Sequence, residues 1–207
     1  MISKPKISFI AFDGSQRIAL GSLAYVALKV KVAVDEGVPG PVVVLHAATS
    51  EPVELDLRGT PADVLARLSP AAAAVPTPAP VPRGRGRPKL GVVPREITLL
   101  PAHWDWLNEQ PGGASVTLRK LVDHASRSNA PKDDVRSAVQ AATRFMAAVA
   151  RNLPNFVEAT QALAVGQADN FNALVAAWPA DVRDHATTLA AAVFNYSVPA
   201  TTSSPAA

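Results

Sequence analysis

The sequence predicts an α+β protein with a small N-terminal ββαββα domain, a Pro/Arg-rich linker and a mostly helical C-terminal domain. Three observations support this fold class. Short apolar runs in the first third alternate with polar residues and end at turn formers, as strands do. Six prolines fall in residues 70–90, where they remove hydrogen-bond donors and disfavour helix. After residue 100, apolar residues recur at intervals of three and four, which is the helical period.

These shifts in composition set the predicted domain boundaries. We expect the small α+β domain over residues 1–69 and the linker over 70–93. A short strand followed by helices occupies 94–195, and the Ser/Thr/Pro-rich tail at 196–207 is expected to be disordered. The sequence leaves open whether the two halves pack together.

The N-terminal domain is predicted element by element. Strands are expected over four short segments, of which the last alternates most clearly: 7–12, 17–20, 41–47 and 53–57. Ser22 stands where a helix N-cap belongs, and Gly37 suits the residue after the helix end, where a positive φ costs little. Thr60 and Pro61 open a second helix, with Asp63 in its first turn.

The C-terminal half begins with a predicted strand over 96–100. Helices are expected from Pro101 to Gln110 and over 116–127, the second capped by Ser115, with a break at 129–131. A long amphipathic helix follows from Asp133, and the remainder is divided into three helices by Pro154, Gly166 and Pro179. Trp104 and Trp106 are two residues apart and cannot share a helix face, so one of them is expected in the core. Trp178 is expected to pack among the helices.

Composition excludes several classes of function. The 207 residues include no cysteine, which excludes disulfides, thiolate nucleophiles and cysteine-ligated zinc. No apolar run reaches the roughly 18–20 residues that span a bilayer, and no signal peptide follows the basic N-terminus. We therefore expect a cytoplasmic protein that does not associate with membranes.

No arrangement of residues points to catalysis, a metal or a cofactor. The four histidines do not form a metal-binding spacing with one another. Asp181 and His185 are four apart on a predicted helix, but two ligands do not make a site. No phosphate-cradling glycine loop and no Ser/His/Asp set is present, so we expect a non-enzymatic protein without cofactors.

The most informative segment is a basic strip in the linker, Arg83-Gly-Arg-Gly-Arg-Pro-Lys89, which Arg95 extends. Residues 83–99 hold five basic residues and one acid, a local charge of +4, whereas the whole chain carries +3. Positive charge concentrated in this way is the electrostatic footprint of a polyanion-binding protein.

The strip resembles an AT-hook, a minor-groove peptide built on a Gly-Arg-Pro core. Gly86 and Pro88 favour an extended backbone that fits a narrow groove, and the resemblance implies that Arg85 and Arg87 enter A·T-rich sequence. Arg83, Lys89 and Arg95 would contact phosphates. The alternative is a solvated basic linker, or one that binds RNA or an acidic protein.

Residues 94–127 resemble a ribbon-helix-helix module, in which strands of two subunits pair in the major groove. The resemblance implies that a phosphate binds at the start of the second helix, near Ser115, Thr117, Arg119 and Lys120. The outward strand residues, Glu96, Thr98 and Leu100, suit DNA poorly. The alternative is an ordinary β-α-α piece folded onto the helices that follow.

Several blocks together resemble one bacterial family, DUF2239 (domain of unknown function 2239). They are Phe12-Asp-Gly14, Leu55-Asp-Leu-Arg-Gly59, Gly84-Arg-Gly-Arg-Pro-Lys-Leu90, Leu100-Pro-Ala-His-Trp-Asp-Trp-Leu107, Gln110-Pro-Gly-Gly-Ala-Ser115 and Trp178-Pro-Ala-Asp-Val-Arg183. The resemblance extends to about residue 194. It implies that the basic strip and the helical segment after residue 100 belong to one conserved arrangement. It implies no activity, fold or site residues.

The leading hypothesis is a non-catalytic DNA-binding protein, a regulator or an architectural factor, that uses the strip in the minor groove. Its expected partner is DNA, A·T-rich in the AT-hook interpretation, with a homodimer or another protein partner left open. The alternative is a protein-interaction adaptor whose basic linker only tethers two binding domains. An enzyme is the third possibility, and it has the least support.

Overall fold

The computed structural model describes residues 8–68 and 93–195, which fall into two compact units. Of these residues, 8–68 and 131–195 belong to unit 1, and 93–130 belong to unit 2. The described strands are β1 (Phe9–Asp13), β2 (Gln16–Gly21) and β3 (Val42–His46). The described helices are α1 (Leu23–Asp35), α2 (Pro61–Leu68), α3 (Pro101–Glu109), α4 (Gly113–Val149), α5 (Phe156–Ala164), α6 (Ala168–Val175) and α7 (Ala180–Phe194). A small sheet followed by a mostly helical region confirms the predicted α+β class.

Unit 1 is built around an antiparallel sheet of order β2-β1-β3, with both faces covered. Successive side chains of β1 point to opposite faces because the strand period is two. Ile10 and Phe12 join a core made with α4 to α7, whereas Ala11 joins a second core with Val26 and Val30 of α1. This explains why residues 9–12 of β1 form a continuous apolar run with no polar face.

The larger core combines many alanines with a few large side chains. Ala142, Ala159 and Ala190 are fully buried, and Phe145 and Phe171 fill the space between the helices. Small side chains let helices approach closely, so a modest apolar area still gives dense packing. Trp178 is 3% exposed, which confirms that it packs among the helices.

The predicted helix caps of unit 1 form. The Ser22 hydroxyl accepts the Tyr25 N–H at the start of α1. Gly37 adopts φ +81° after the helix end, where the N–H groups of residues 37 and 38 close back on the last turn. At α2 the Asp63 N–H donates to the Thr60 hydroxyl and the Thr60 N–H donates to the Asp63 carboxylate, a reciprocal capping box.

The predicted strand over 53–57 does not form, so the N-terminal order is ββαβα rather than ββαββα. The alternation of apolar and polar residues still determines which side chains are buried, because Val53, Leu55 and Leu57 pack against the core that contains Val26 and Val30 of α1. The backbone pairs with β3 only at an isolated bridge from Leu45 to Pro52. Beyond it, the Arg58 N–H donates to the Asp56 side chain instead of a neighbouring strand, and such local bonds compete with sheet pairing.

The predicted strand over 96–100 does not form either. Residues 93–100 are extended but pair with no strand among the described residues. The alternating pattern predicts which side chains share a face, but a strand needs a partner edge as well. The ribbon-helix-helix resemblance therefore stays a prediction.

Two further expectations in the second half are wrong. The break at 129–131 is absent, since α4 continues through Pro131. Proline removes the N–H that the Arg127 carbonyl would accept, but residues 121–134 are exposed and water can satisfy that carbonyl. Neither Trp104 nor Trp106 is in a core, being 36% and 49% exposed. Leu107 is the buried side chain among the described residues of unit 2.

The predicted linker and its basic strip lie outside the described residues, apart from residue 93 at its end. The disordered tail predicted from residue 196 lies outside them as well. The predicted domain boundaries stay a prediction. The two halves of the sequence do pack together within unit 1, because β1 and β3 from the N-terminal half share a core with α4 to α7 from the C-terminal half.

Candidate nucleic-acid interface

The described residues of unit 2 contain a wide cleft of about 820 Å³ between the extended segment and α4. Three predicted site residues line it: Arg95, Ser115 and Arg119. Arg95 reaches it from the extended segment, where Pro94 fixes the backbone just before it. Ser115 and Arg119 are four residues apart on α4 and therefore share one helix face.

The remaining walls of this cleft are largely apolar, with one acid. They comprise Val93, Pro94, Leu118, Val122 and Asp123. Two guanidinium groups against one carboxylate give the cleft a formal charge of +1. The side chains of Arg95 and Arg119 are exposed, so they are accessible to a polyanion from solution.

The start of α4 adds partial positive charge to the same end of the cleft. The helix begins at Gly113, so Ser115 lies inside its first turn and the prediction that Ser115 caps a helix over 116–127 is wrong. No acidic residue lies in this first turn. Unpaired N–H groups there carry part of the helix dipole and attract anions. The Nε of Arg119 donates to the Ser115 carbonyl at 3.1 Å, which holds the guanidinium beside that first turn.

The other predicted site residues are not brought into this cleft. Thr117 and Lys120 also lie in the first turns of α4, but neither lines the cleft. Thr117 is two positions from Ser115, which turns it to the opposite side of the helix, and Lys120 is exposed on another face. Their phosphate contacts stay a prediction. Arg83, Arg85, Gly86, Arg87, Pro88 and Lys89 lie outside the described residues.

Unit 1 carries a separate cleft of about 470 Å³ that the sequence did not predict. Its lining is mostly alanine and leucine, with Arg17, Asp184 and His185 as the ionisable groups. His185 is only 8% exposed, and its Nε2 is buried without a hydrogen-bond partner. The ring packs edge-on against Phe145, with centroids 4.6 Å apart.

Burial, and to a smaller extent the positive charge of Arg17, together lower the pKa of His185 from its ordinary 6.5 to about 4. The imidazole is therefore neutral at pH 7. Asp181, one turn before it, is engaged elsewhere, since it accepts the Arg17 backbone N–H at 3.0 Å. Within residues 8–68 and 93–195, no three His, Asp or Glu side chains group as a metal site. Nothing in the local sequence marks His185 as buried, because its neighbours come from β1 and α4.

No helix in the described ranges is both long enough and apolar enough to cross a membrane. No curated protein and no solved structure is a match to this chain. A family model does match, over residues 8–190, and its description is "Uncharacterized protein conserved in bacteria (DUF2239)". The match runs from the start of β1 into α7 and includes the basic strip, the cleft of unit 2 and all the lining residues of the cleft of unit 1 except Ala192. It confirms the resemblance seen in the sequence, and the chain belongs to the DUF2239 family of proteins conserved in bacteria.

Proposed function

We propose that this protein binds DNA without catalysing a reaction on it. The observation that carries the proposal is the concentration of charge: residues 83–99 hold +4, so the rest of the chain sums to −1. Neutralising phosphates releases condensed counterions, which makes such a segment a binding element for a nucleic acid. In this proposal, Arg85 and Arg87 enter the minor groove, and Arg83 and Lys89 contact the backbone beside it.

The cleft of unit 2 supports the proposal from the described part of the chain. Arg95 continues the basic strip in sequence and lies in one cleft with Ser115 and Arg119. A phosphate there would meet two guanidinium groups and the positive end of α4. The cleft would thus position the protein on the duplex, while the strip would distinguish A·T-rich from G·C-rich sequence.

The test is a salt series of fluorescence anisotropy titrations on A·T-rich and G·C-rich duplexes. Replacing both Arg85 and Arg87 with alanine should weaken binding to the A·T-rich duplex and lower the slope of log K against log salt by about two. The matched control, Lys29→Ala with Arg151→Ala, removes the same charge from exposed positions of unit 1 and should leave the slope unchanged. A wild-type protein that shows no salt-sensitive binding to either duplex at low ionic strength refutes the proposal.

A protein-binding adaptor is the second candidate, and the exposure of Trp104 and Trp106 on α3 favours it. Exposed aromatic side chains are typical anchors of protein interfaces. A pull-down that recovers one protein partner at high salt, equally with wild type and with the double arginine variant, would favour this function over DNA binding.

A further inference from the structure

The cleft of unit 1 is formed mainly by four parts of the chain that meet within that unit. They are β2, the turn after β3, α4 and α7. Its volume of about 470 Å³ lies in the range of pockets that bind small molecules. Five of its twelve lining residues are alanine, and these short side chains leave the space open: Ala47, Ala48, Ala138, Ala141 and Ala192. The cleft can therefore hold a molecule the size of an aromatic ring with a short polar arm.

One wall of the cleft is the turn after β3, which is held in place from two sides. The Nδ1 atom of His46 accepts the N–H groups of Ala48 and Thr49, each at 3.3 Å. From α4, the Arg144 guanidinium donates to the Thr49 carbonyl at 2.6 Å. Ser50 is buried with φ +54°, a left-handed conformation that is uncommon for a serine. The wall is therefore preorganised, which lowers the entropy cost of binding.

The least exposed polar side chain of the lining is that of His185, at 8% exposure. Its Nε2 is buried without a hydrogen-bond partner among the described residues. An unpaired buried nitrogen destabilises the folded protein, and such an atom in a residue that lines a cleft indicates a partner from outside the chain. Because burial keeps the ring neutral at pH 7, it can donate or accept a hydrogen bond but adds no charge to the cleft.

The ionisable groups around the cleft leave one cation available. The Asp184 carboxylate is engaged by its neighbour Arg183, whose Nε donates to it at 3.0 Å. Arg17, by contrast, forms only a loose ion pair with Asp181, at 3.7 Å, and its guanidinium donates no hydrogen bond to any described residue. The Arg17 side chain is 40% exposed, so a molecule in the cleft can reach its donors. A planar fork of N–H donors matches the two oxygens of a carboxylate.

We propose that the cleft of unit 1 binds a small monocarboxylate with an apolar body. The carboxylate lies against the Arg17 guanidinium, and the body lies on the alanine walls and on Leu189. The two arginines and two aspartates at this end carry no net charge, so a dianion such as phosphate meets no cationic excess. A cation would find both aspartates already paired, and a neutral molecule would leave the Arg17 donors unused.

The test uses the full chain and three probes that share one apolar body: phenylacetate, phenylethanol and phenylethylammonium. Binding is followed by nuclear magnetic resonance of the backbone amides and histidine rings. Phenylacetate should bind with a dissociation constant of about 1 mM, as expected for about ten heavy atoms, and phenylethanol about tenfold more weakly. Phenylethylammonium should not bind. The signals that move should be those of the lining residues and the His185 ring, while the rings of His103 and His124 in unit 2 stay unchanged.

Two pairs of variants separate recognition of the carboxylate from filling of the cleft. Arg17→Gln should weaken phenylacetate binding about tenfold and leave phenylethanol binding unchanged. Arg151→Gln removes an exposed arginine elsewhere in unit 1 and should change neither. Ala192→Phe fills the cleft and should abolish phenylacetate binding, whereas Ala191→Phe changes the neighbouring exposed residue, outside the lining, and should bind as wild type does. Circular dichroism verifies that all four variants are folded.

Three results overturn the proposal: no spectral change at a phenylacetate concentration about tenfold above that dissociation constant, equal binding of phenylacetate and phenylethanol, or unchanged phenylacetate binding by both Arg17→Gln and Ala192→Phe. Equal binding of the two probes would show an apolar site that does not recognise the carboxylate. None of these results bears on DNA binding, which is measured separately through the salt slope. The two proposals can therefore fail independently.

Discussion

His185 should make the folded protein lose stability as the pH falls below 6.5. Burial keeps its folded pKa at about 4, whereas the unfolded side chain titrates near 6.5. Between these values the unfolded chain binds a proton that the folded chain does not, so protons favour unfolding. The contribution is intact above pH 6.5 and is lost progressively down to about pH 4.

The size of this loss follows from the two pKa values. The full difference corresponds to about 3 kcal/mol, and at pH 5 the free energy of unfolding should have fallen by about 2 kcal/mol relative to pH 7.5. His185→Leu removes the titrating group from its site beside Phe12 and Phe145 while filling a similar volume. The variant should therefore lack this part of the pH dependence.

The assay is urea unfolding followed by the fluorescence of the buried Trp178, with Trp104 and Trp106 replaced by phenylalanine in all samples. These three are the only tryptophans of the chain. The carboxylates contribute equally to the pH dependence of wild type and His185→Leu. The difference between the two plots of unfolding free energy against pH therefore reports the contribution of His185 alone. His124→Gln changes an exposed histidine and should behave as wild type. Parallel pH profiles for wild type and His185→Leu would refute the reasoning.

Two further predictions concern the stability of unit 1, and both are measured by urea unfolding at pH 7.5, followed by circular dichroism because one variant lacks Trp178. Thr60→Ala should lower the free energy of unfolding by about 1 kcal/mol, because it removes the hydroxyl that accepts the Asp63 N–H at the start of α2. Thr60→Ser keeps that hydroxyl and should leave the stability nearly unchanged. Equal losses of stability in the two variants would contradict the capping role. Trp178→Phe should lower the free energy of unfolding by about 2 kcal/mol, because the indole Nε1 donates to the Pro154 carbonyl at 2.7 Å and the variant leaves that carbonyl unpaired. An unchanged urea midpoint would show that water replaces the indole as the donor.

The sequence predicts local structure well where the signal is local. The caps at Ser22 and Thr60 and the glycine at residue 37 depend on a few neighbouring residues, and all three form. Alternation at 53–57 and 96–100 predicts which side chains share a face, yet neither segment enters a sheet. Whether a strand forms depends on a distant edge, which periodicity does not contain.

The candidate site was predictable in part for the same reason. Ser115 and Arg119 share a face because of the helical period. Arg95 is twenty residues from Ser115 with α3 between them, so no local pattern predicted that it lines the same cleft. The helical period also explains why Thr117 does not line the cleft, because a residue two positions from Ser115 lies on the opposite side of the helix. The buried environment of His185 depends on Phe12 and Phe145, which are far from it in the sequence, so no local pattern could predict it.

The core of unit 1 has a consequence for how the chain folds during its synthesis. Ile10 and Phe12 emerge early from the ribosome, but the α7 residues that cover them, such as Val182 and Leu189, are made more than 160 residues later. At about 5–20 residues per second, one face of the nascent sheet stays uncovered for roughly ten seconds or more. The hairpin must therefore wait for its partner helices, and during that interval its exposed apolar face is prone to aggregation.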